Sequence, residues 1–359
     1  SGYKVVSLAF DNETKNNLID ENVSFIYIDS NKIIKYPEKI CLTENKTVID
    51  EIYNFNNYDV LEIYDDGIVN RYYNNSSCEN VFFITEKCNS NCLMCPSPEK
   101  SRKNGTFVNI DNLIEIAKHI PSDVPHITIT GGEPFMIGRS LFNLLNFCKI
   151  KFEQTDFQIL TNGRIFSINV YCQLLSENLP NNTILGIPVH GSNAEIHDAI
   201  TQSKGSFNQT IKGLKGLQYY NIQTEIRIVV CRNNINDLNN IARLIVDKFS
   251  NVSFVSIMAM EMTGNAFINK SDVWIPYSES FPKVRQTLFT LLNAGIDVRL
   301  YNFPLCTVDK DCWTLCYKSI SSWKVRYTEF CDECIMKESC GGVFAGTIKL
   351  EQKDLKAIK

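Results

Sequence analysis

Three cysteines stand close together in the stretch CNSNCLMCP, at spacings of four and three residues: Cys88, Cys92 and Cys95. A structural zinc site is closed by four protein ligands, and this triplet has no fourth Cys or His in its immediate neighbourhood, so zinc fits poorly. A 4Fe-4S cluster has four irons, and three thiolates on one tight loop would leave one iron without a protein ligand. That open iron could bind a small molecule.

A second group of cysteines lies near the C-terminus. Cys331, Cys334 and Cys340 have two and then five residues between them, and we expect Cys306, in YNFPLC, to complete four thiolates. Four thiolates suffice for one closed auxiliary cluster, while a structural zinc ion is the alternative. Two further cysteines could replace Cys306 or be free thiols, and these are Cys312 and Cys316.

The other five cysteines stand alone in the sequence: Cys41, Cys78, Cys148, Cys172 and Cys231. Isolated free cysteines are most often buried as small hydrophobic residues, so we predict that role for all five. Clustered thiols in a reducing compartment indicate metal or redox chemistry instead.

Composition excludes several classes of protein. The 359 residues are 44% apolar and 21% charged, with no apolar run near the roughly 18 residues that a membrane span needs. The net charge is −4 and the lysines are scattered, which argues against nucleic acid as a partner. SGYKVVSLAF has neither a basic leader nor a small-residue cleavage site, so we expect a cytoplasmic protein with no membrane association.

Short apolar strands alternate with amphipathic helices through the middle of the chain. The predicted strands are residues 81–85, 126–130, 157–160, 183–189, 225–230 and 252–260. The predicted helices are 112–120, which Asp111 caps, 140–148, 167–177, 207–217 and 237–249. This alternation predicts an α/β fold, a parallel sheet covered by helices, and leaves open a partial barrel or an open doubly wound sheet.

Unusual residues follow strand after strand. The cysteines follow the first strand, TGGEP (130–134) the second, TNGR (161–164) the third and HGSN (190–193) the fourth. Because the carboxyl ends of parallel strands share one edge, we expect a single site there. We divide the chain into a small β-rich unit at 1–78, the strand and helix alternation at 79–265, and a cysteine-rich region at 266–359.

Two of these segments resemble a known family. CNSNCLMC resembles the cysteine loop of the radical S-adenosylmethionine (SAM) superfamily, and TGGEP resembles its glycine-glycine-glutamate segment. The resemblance implies a partial (βα)6 TIM-like barrel. It also implies that Cys88, Cys92 and Cys95 hold a 4Fe-4S cluster whose open iron binds SAM. The chain departs from the family at Met94, where an aromatic residue is usual.

The resemblance implies further contacts with SAM. The methionine part would be held by Gly131, Gly132, Glu133 and Pro134, with the carboxylate facing the ammonium group. Ribose and carboxylate contacts are implied for Asn162, His190, Ser192 and Arg227. Ile257 and Met260 would pack against the adenine, with a plain core role as the alternative. A flavodoxin- or ferredoxin-type reductant would supply the electron for reductive cleavage of SAM to a 5′-deoxyadenosyl radical.

The C-terminal region resembles the SPASM and twitch extensions of radical peptide maturases, which carry auxiliary clusters. More narrowly, IHDAI, KGSF, LYNFPLC, SISSWK and CGGVF together resemble the radical maturase of the His-Xaa-Ser system. That likeness implies an auxiliary 4Fe-4S cluster on Cys306, Cys331, Cys334 and Cys340. It also implies a ribosomal precursor peptide as substrate and a second radical SAM maturase as a partner. Oxidative crosslinking of the repeats is our hypothesis for the reaction.

Two other classes of function remain open. One is a radical SAM enzyme that acts on a small molecule or on a sulfatase-type protein. The other is a non-catalytic iron-sulfur protein, which would bind metal but leave SAM intact. If the protein is a peptide maturase, we expect the unit at 1–78 to bind a leader peptide by adding it to a sheet edge.

Overall fold

The computed structural model describes residues 3–66 and 68–359. Its strands are β1 (Tyr3–Ala9), β2 (Phe25–Asp29), β3 (Lys32–Tyr36), β4 (Ile40–Thr43), β5 (Val60–Tyr64), β6 (Val69–Tyr73), β7 (Val81–Phe83), β8 (His126–Thr130), β9 (Asp156–Leu160), β10 (Asn182–Pro188), β11 (Thr224–Val229), β12 (Phe254–Met258), β13 (Val298–Tyr301), β14 (Cys316–Tyr317), β15 (Val325–Arg326) and β16 (Val343–Phe344).

The α-helices are α1 (Asn12–Asp20), α2 (Lys46–Ile52), α3 (Glu99–Asn104), α4 (Ile110–His119), α5 (Ser140–Lys151), α6 (Asn169–Asn178), α7 (Ala194–Thr201), α8 (Ser206–Tyr219), α9 (Leu238–Lys248), α10 (Gly264–Ile268), α11 (Lys270–Val273), α12 (Tyr277–Asn293) and α13 (Ile348–Glu351). In the part of the chain that the structure describes, no helix is long and apolar enough to cross a membrane.

The central layer is a sheet of eight strands that run in chain order from β7 to β14. Every neighbouring pair in it is parallel. Parallel neighbours need crossover connections, and α4, α5, α6, α8, α9 and α12 lie in those connections. The predicted α/β class and TIM-like arrangement of parallel strands are therefore confirmed.

The sheet has two more strands than the six predicted. β13 pairs with β12, and β14 pairs with β13, so the sheet continues beyond residue 265. β13 has four residues and β14 has two. Strands this short, within the cysteine-rich region, show no clear apolar pattern in the sequence. The predicted cap of α4 is also wrong by two residues, because Asn109 rather than Asp111 accepts the first backbone N–H groups.

The two faces of the sheet differ in polarity. Ile226 and Ile257 are fully buried in the main apolar core, which fills the space between the sheet and its helices. On the same strands, Glu225, Arg227 and Ser256 carry polar groups. They alternate with the core residues and face the interior of the partial barrel, where they bond one another. The interior of the barrel therefore carries buried polar groups on these two strands.

A second sheet, with strand order β4-β3-β2-β1-β5-β6, precedes the barrel. Its β1 and β2 are parallel and joined by α1, while the other neighbours are antiparallel. It packs directly on the barrel, since Val60 and Tyr73 enter the main core and Ser7 Oγ lies 3.0 Å from His119 Nδ1 on α4. The two sheets therefore share a buried interface.

The isolated cysteines divide into two sets. Cys148, Cys172 and Cys231 are buried, as predicted, but Cys41 and Cys78 are exposed. The prediction fails for these two because Cys41 lies on the outer strand β4 and Cys78 in the polar junction before the barrel.

The buried contact at His119 predicts acid-sensitive stability. Burial lowers the pKa of His119 to about 4, so between that value and about 6.5 the unfolded chain binds a proton that the folded chain excludes. Stability from this group is complete above about pH 6.5 and falls on acidification, by up to about 1.4 kcal/mol per pH unit. Urea unfolding across this range should show a shallower fall for His119→Gln than for the wild type. An equal slope in both proteins would contradict the assignment.

Candidate functional site

The cysteine loop (residues 88–95) follows β7 and is held by its backbone from two sides. Asn91 N donates to Thr201 O at 3.0 Å, which ties the loop to the end of α7. Asn265, on α10, donates from its backbone N–H to Cys95 O at 2.9 Å and from its amide to Cys92 O at 3.2 Å. The loop conformation is thus set before any metal binds. Sequence reasoning missed Asn265, which is 170 residues from Cys95 in the chain.

Arg164 holds the start of the same loop. Its Nη1 donates to Asn89 O at 2.7 Å, to Ser90 Oγ at 3.0 Å and to Ser203 Oγ at 2.9 Å. This arginine closes the TNGR segment after β9, and we had not assigned it a role. An arginine directly after a glycine turn at the carboxyl end of a strand was the available signal.

The three loop thiols are half-buried and close enough to influence one another. Burial raises the pKa of Cys88 to about 11 and that of Cys92 to about 12. Without metal Cys88 and Cys92 are therefore protonated at neutral pH, and metal binding must release their protons. Three thiols on one loop form a donor set that fits a 4Fe-4S cluster.

The glycines of TGGEP lie directly against the strand that leads into the cysteine loop. A Cβ on Gly131 would overlap Thr85 O, and one on Gly132 would overlap Lys87 O. Gly132 N donates to Thr85 O at 2.7 Å, and the next residue, Glu133, donates to Lys87 O at 2.8 Å. Only glycine permits this approach, so TGGEP is in direct backbone contact with residues 85–87, which lead into the cysteine loop.

The Glu133 carboxylate is buried and accepts three hydrogen bonds. Oε1 accepts from Phe135 N at 3.1 Å and Thr161 Oγ1 at 2.8 Å, and Oε2 accepts from Asn162 N at 2.7 Å. Burial raises the pKa of Glu133, whereas these hydrogen bonds lower it. In this structure Glu133 joins TGGEP to TNGR, and its contact with the ammonium group of SAM stays a prediction. Pro134 begins the 3-10 turn that follows.

The other residues predicted to contact SAM lie at the same edge of the sheet. Some of their polar groups already have hydrogen-bond partners within the protein, and others do not. Asn162 Nδ2 donates to Asn89 Oδ1 at 2.6 Å, and Ser192 donates to Asp237 through both its backbone N–H and its hydroxyl. His190 is buried, its Nδ1 has no hydrogen-bond partner, and burial lowers its pKa to about 3. The His190 imidazole is therefore neutral, and its buried Nδ1 has no hydrogen-bond partner among the described residues.

A cavity of about 540 Å³ opens beside the cysteine loop, and we call it the site cavity. Its wall includes Met94, Met260 and Arg227, so two methionines from different elements meet there. Arg227 Nη1 donates to both oxygens of Glu225, at 2.8 and 3.0 Å, and Glu225 is fully buried. Gln158 and Ser256 also donate hydrogen bonds to Glu225. The Glu225 carboxylate therefore has hydrogen-bond partners at both oxygens beneath the cavity wall.

We had not predicted a role for Glu225. Two charged residues at alternate positions of the otherwise apolar strand EIRIVV were the sequence signal for this role.

Ile257 lies elsewhere than the resemblance implied. It is on the helix-facing side of β12, within the main core, while Met258 on the opposite side lines the site cavity. The core alternative, left open for Ile257, agrees with this placement, because neighbouring strand residues point to opposite faces.

The auxiliary thiols (Cys306, Cys331, Cys334 and Cys340) all line one small apolar pocket, although 25 residues separate Cys306 from Cys331. Backbone N–H groups point at their sulfurs. Leu305 N and Gly342 N each donate to Cys340 Sγ at 3.4 Å, and Ile358 N donates to Cys334 Sγ at 3.4 Å. Such bonds are typical of sulfurs that ligate iron-sulfur clusters. Among the described residues, no three Cys, His, Asp or Glu side chains stand in an arrangement that would hold a single metal ion.

Cys312 and Cys316 do not line that pocket. Cys312 is buried, and Cys316 lies on the edge strand β14 with its thiol directed to Cys312 O. Burial raises the pKa of Cys316 to about 12. Cys306 is therefore the better fourth member of the auxiliary set.

Comparison with known proteins agrees with this site. Residues 82–245 match the model of the Radical SAM superfamily. The subtilosin (antilisterial bacteriocin) biosynthesis protein AlbA of Bacillus subtilis is 30% identical over 167 residues, 46% of this chain and 36% of AlbA. GTP 3′,8-cyclase of Petrotoga mobilis is 26% identical over 198 residues, 53% of this chain and 59% of that enzyme.

The fold is similar to that of Streptococcus suis SuiB bound to precursor peptide SuiA. The TM-score is 0.51 at 12% identity, over 63% of this chain and 49% of SuiB. The match thus spans less than two thirds of each of these three proteins. The residues that match the Radical SAM model contain both the cysteine loop and TGGEP.

Replacing the Glu133 carboxylate tests whether its hydrogen bonds hold TGGEP against TNGR. Glu133→Gln would turn an amide N–H₂ toward a backbone or hydroxyl donor and leave a buried group unsatisfied, at a cost of roughly 1–3 kcal/mol of unfolding free energy. Denaturant unfolding of the metal-free protein measures this. Glu153→Gln, at an exposed position, is the matched control and should change little. Equal stability of the two variants would remove Glu133 from this role.

Proposed function

We propose that this protein is a radical SAM enzyme that modifies a ribosomally made peptide by oxidative crosslinking of His-Xaa-Ser-type repeats. The observation that carries the proposal is the position of the site cavity. Met94 and Pro96 of the cysteine-loop segment form one wall, and Ser319, Lys324 and Phe344 of the C-terminal region form another. A substrate in this cavity would lie between the two groups of thiols.

The residues of the site suit a cluster with SAM. Cys88, Cys92 and Cys95 would hold the cluster, which with SAM supplies a 5′-deoxyadenosyl radical that removes hydrogen from a substrate. Met94 and Met260 keep the cavity wall apolar next to the loop, which limits access of water.

The cavity is also lined by charged residues. Lys324 Nζ lies 3.0 Å from Glu261 Oε1, and both residues line the cavity. Arg227 is held in place by buried Glu225, so its orientation is set before substrate binds. A cavity with apolar walls and a few oriented charges suits a polar side chain presented on a peptide.

The auxiliary thiols would hold a second 4Fe-4S cluster. Crosslinking two side chains removes two hydrogen atoms in total, and an electron acceptor is needed once the first has been abstracted. The shared pocket and the N–H groups directed at sulfur support a cluster there, and its wall residue Val343 directly precedes Phe344 of the site cavity. A cluster held by these thiols would supply the acceptor for the surplus electron, and the second hydrogen would leave as a proton. A flavodoxin- or ferredoxin-type protein would supply electrons to the first cluster, and a second radical SAM maturase would act on the same peptide.

The relatives support a peptide as substrate to different degrees. AlbA is named for bacteriocin biosynthesis, and SuiB has been crystallised with a precursor peptide. The likeness to SuiB concerns the fold alone, so the substrate argument depends mainly on AlbA and the cavity. GTP 3′,8-cyclase covers more of this chain than AlbA does, and it favours a small-molecule substrate as the second candidate.

The proposed reaction predicts which activities each cysteine variant loses. With dithionite and without oxygen, the reconstituted protein should convert SAM to 5′-deoxyadenosine and remove two hydrogens from a His-Xaa-Ser peptide. Cys88→Ala/Cys92→Ala/Cys95→Ala should abolish both, because no cluster can form. Cys331→Ala/Cys334→Ala should retain SAM cleavage but lose the peptide product. Liquid chromatography and mass spectrometry measure both products.

Exposed Cys41→Ala is the control for cysteine loss and should retain both activities. A peptide of unchanged mass beside ample 5′-deoxyadenosine would contradict oxidative crosslinking. Stimulation of SAM cleavage by GTP and not by peptide would favour the small-molecule candidate.

We further propose that the outer strand β4 binds the leader of the peptide by adding it as a strand. Ile40 and Leu42 on β4 are 54% and 51% exposed, and β4 has a neighbour on one side only. Exposed apolar side chains on an unpaired strand edge suit an extended peptide.

Ile40→Lys/Leu42→Lys should weaken peptide binding roughly tenfold or more, since charges would replace the apolar contacts. The control is Ile150→Lys, at an apolar side chain that is 69% exposed on α5. Fluorescence anisotropy with a labelled precursor peptide measures both affinities. Equal affinity in the two variants would exclude β4 as the docking strand.

A further inference from the structure

Arg102 on α3 is a buried cation without a carboxylate partner. Only 3% of it is exposed, and no salt bridge to it exists among residues 3–66 and 68–359. The nearest acidic side chain on its own helix, Glu99, pairs with exposed Lys103. Arg102 Nη1 donates to Ser97 O and Nη2 to Asn91 Oδ1, both neutral acceptors. Arg102 Nε has no acceptor at all.

This arrangement is costly for the protein by itself. A buried charge costs several kcal/mol unless an opposite charge compensates it, and buried arginines are normally paired with carboxylates. A fixed guanidinium without such a partner therefore indicates that a negative charge belongs nearby.

The cysteine loop is where that charge would arise. Arg102 and Cys88 line the same cavity of about 220 Å³, and Cys88 N donates to Arg102 O at 3.2 Å. Three thiolates outweigh the charge of an oxidised 4Fe-4S core, so the bound cluster would be anionic, and reduction would add a further negative charge.

We propose that Arg102 is the built-in counter-ion of the cluster on the cysteine loop and sets its reduction potential. The inference depends on the cluster of the proposed function and is independent of the peptide as substrate. A nearby cation stabilises the reduced, more negative cluster over the oxidised one, and so eases uptake of the electron that SAM cleavage needs. Arg102 is a positioning residue in this role, since it acts on the cluster and touches no reacting atom.

Arg102→Met removes the charge, Arg102→Lys retains it, and Lys103→Met removes an exposed cation from the same helix as the matched control. Each is prepared in a background of Cys331→Ala/Cys334→Ala, so that only the first cluster is observed. Three properties of each variant are measured. They are the iron content, the midpoint potential from a redox titration followed by electron paramagnetic resonance, and the unfolding temperature with and without the cluster.

We expect a more negative midpoint potential for Arg102→Met, and potentials near that of the parent for Arg102→Lys and Lys103→Met. Cluster loading should also raise the unfolding temperature of Arg102→Met by less than that of the parent. If Arg102→Met takes up no iron, Arg102→Gln, which keeps a donor for Ser97 O or Asn91 Oδ1 but carries no charge, is compared with Arg102→Lys instead.

A merely structural role would lower the unfolding temperature equally with and without the cluster and leave the potential unchanged, and that result would overturn the proposal. A potential that falls equally in Arg102→Lys and Arg102→Met would overturn it too, because the charge would not be the cause. Failure of the parent protein itself to take up iron on the cysteine loop would instead defeat the proposed function.

Discussion

Direct backbone contact between two loops is the constraint on which the rest of the site depends. The carbonyl oxygens of Thr85 and Lys87 occupy the space where side chains at 131 and 132 would stand. The segment that leads into the cysteines therefore lies against TGGEP, with hydrogen bonds at 2.7 and 2.8 Å between them. Because neither loop can shift without breaking these contacts, the thiols and the glycine cradle keep one relative position.

Buried polar side chains extend this constraint around the sheet. Glu133 joins TGGEP to the segment after β9, Arg164 joins that segment to the cysteine loop, and Asn265 joins the loop to α10. Each of these groups lies at the carboxyl ends of the strands, where backbone groups are no longer satisfied by the sheet. The hydrogen bonds that complete the fold there are the same ones that orient the candidate site.

The C-terminal region is part of this architecture. β13 and β14 extend the parallel sheet, and the chain then returns so that Lys324 and Phe344 complete the wall of the site cavity. The same return brings Cys306 to the pocket of Cys331 and its neighbours. One stretch of chain thus shapes the place for a substrate and collects the second group of thiols beside it.

The sequence by itself determined the α/β class, the approximate positions of the first six strands of the central sheet, and the two stretches where cysteines cluster, because these depend on local periodicity and on short spacings along the chain. It could not reveal Asn265 as a support of the cysteine loop, and it left open whether Ile257 is a core residue. Those roles depend on which face of a strand a side chain occupies and on contacts between distant segments. Arg102 is the clearest case, because a lysine- and arginine-bearing helix such as EKSRKN looks solvated in sequence. Only the tertiary structure decides that one of its cations is buried beside the thiols, since burial is set by the packing of the loops around α3.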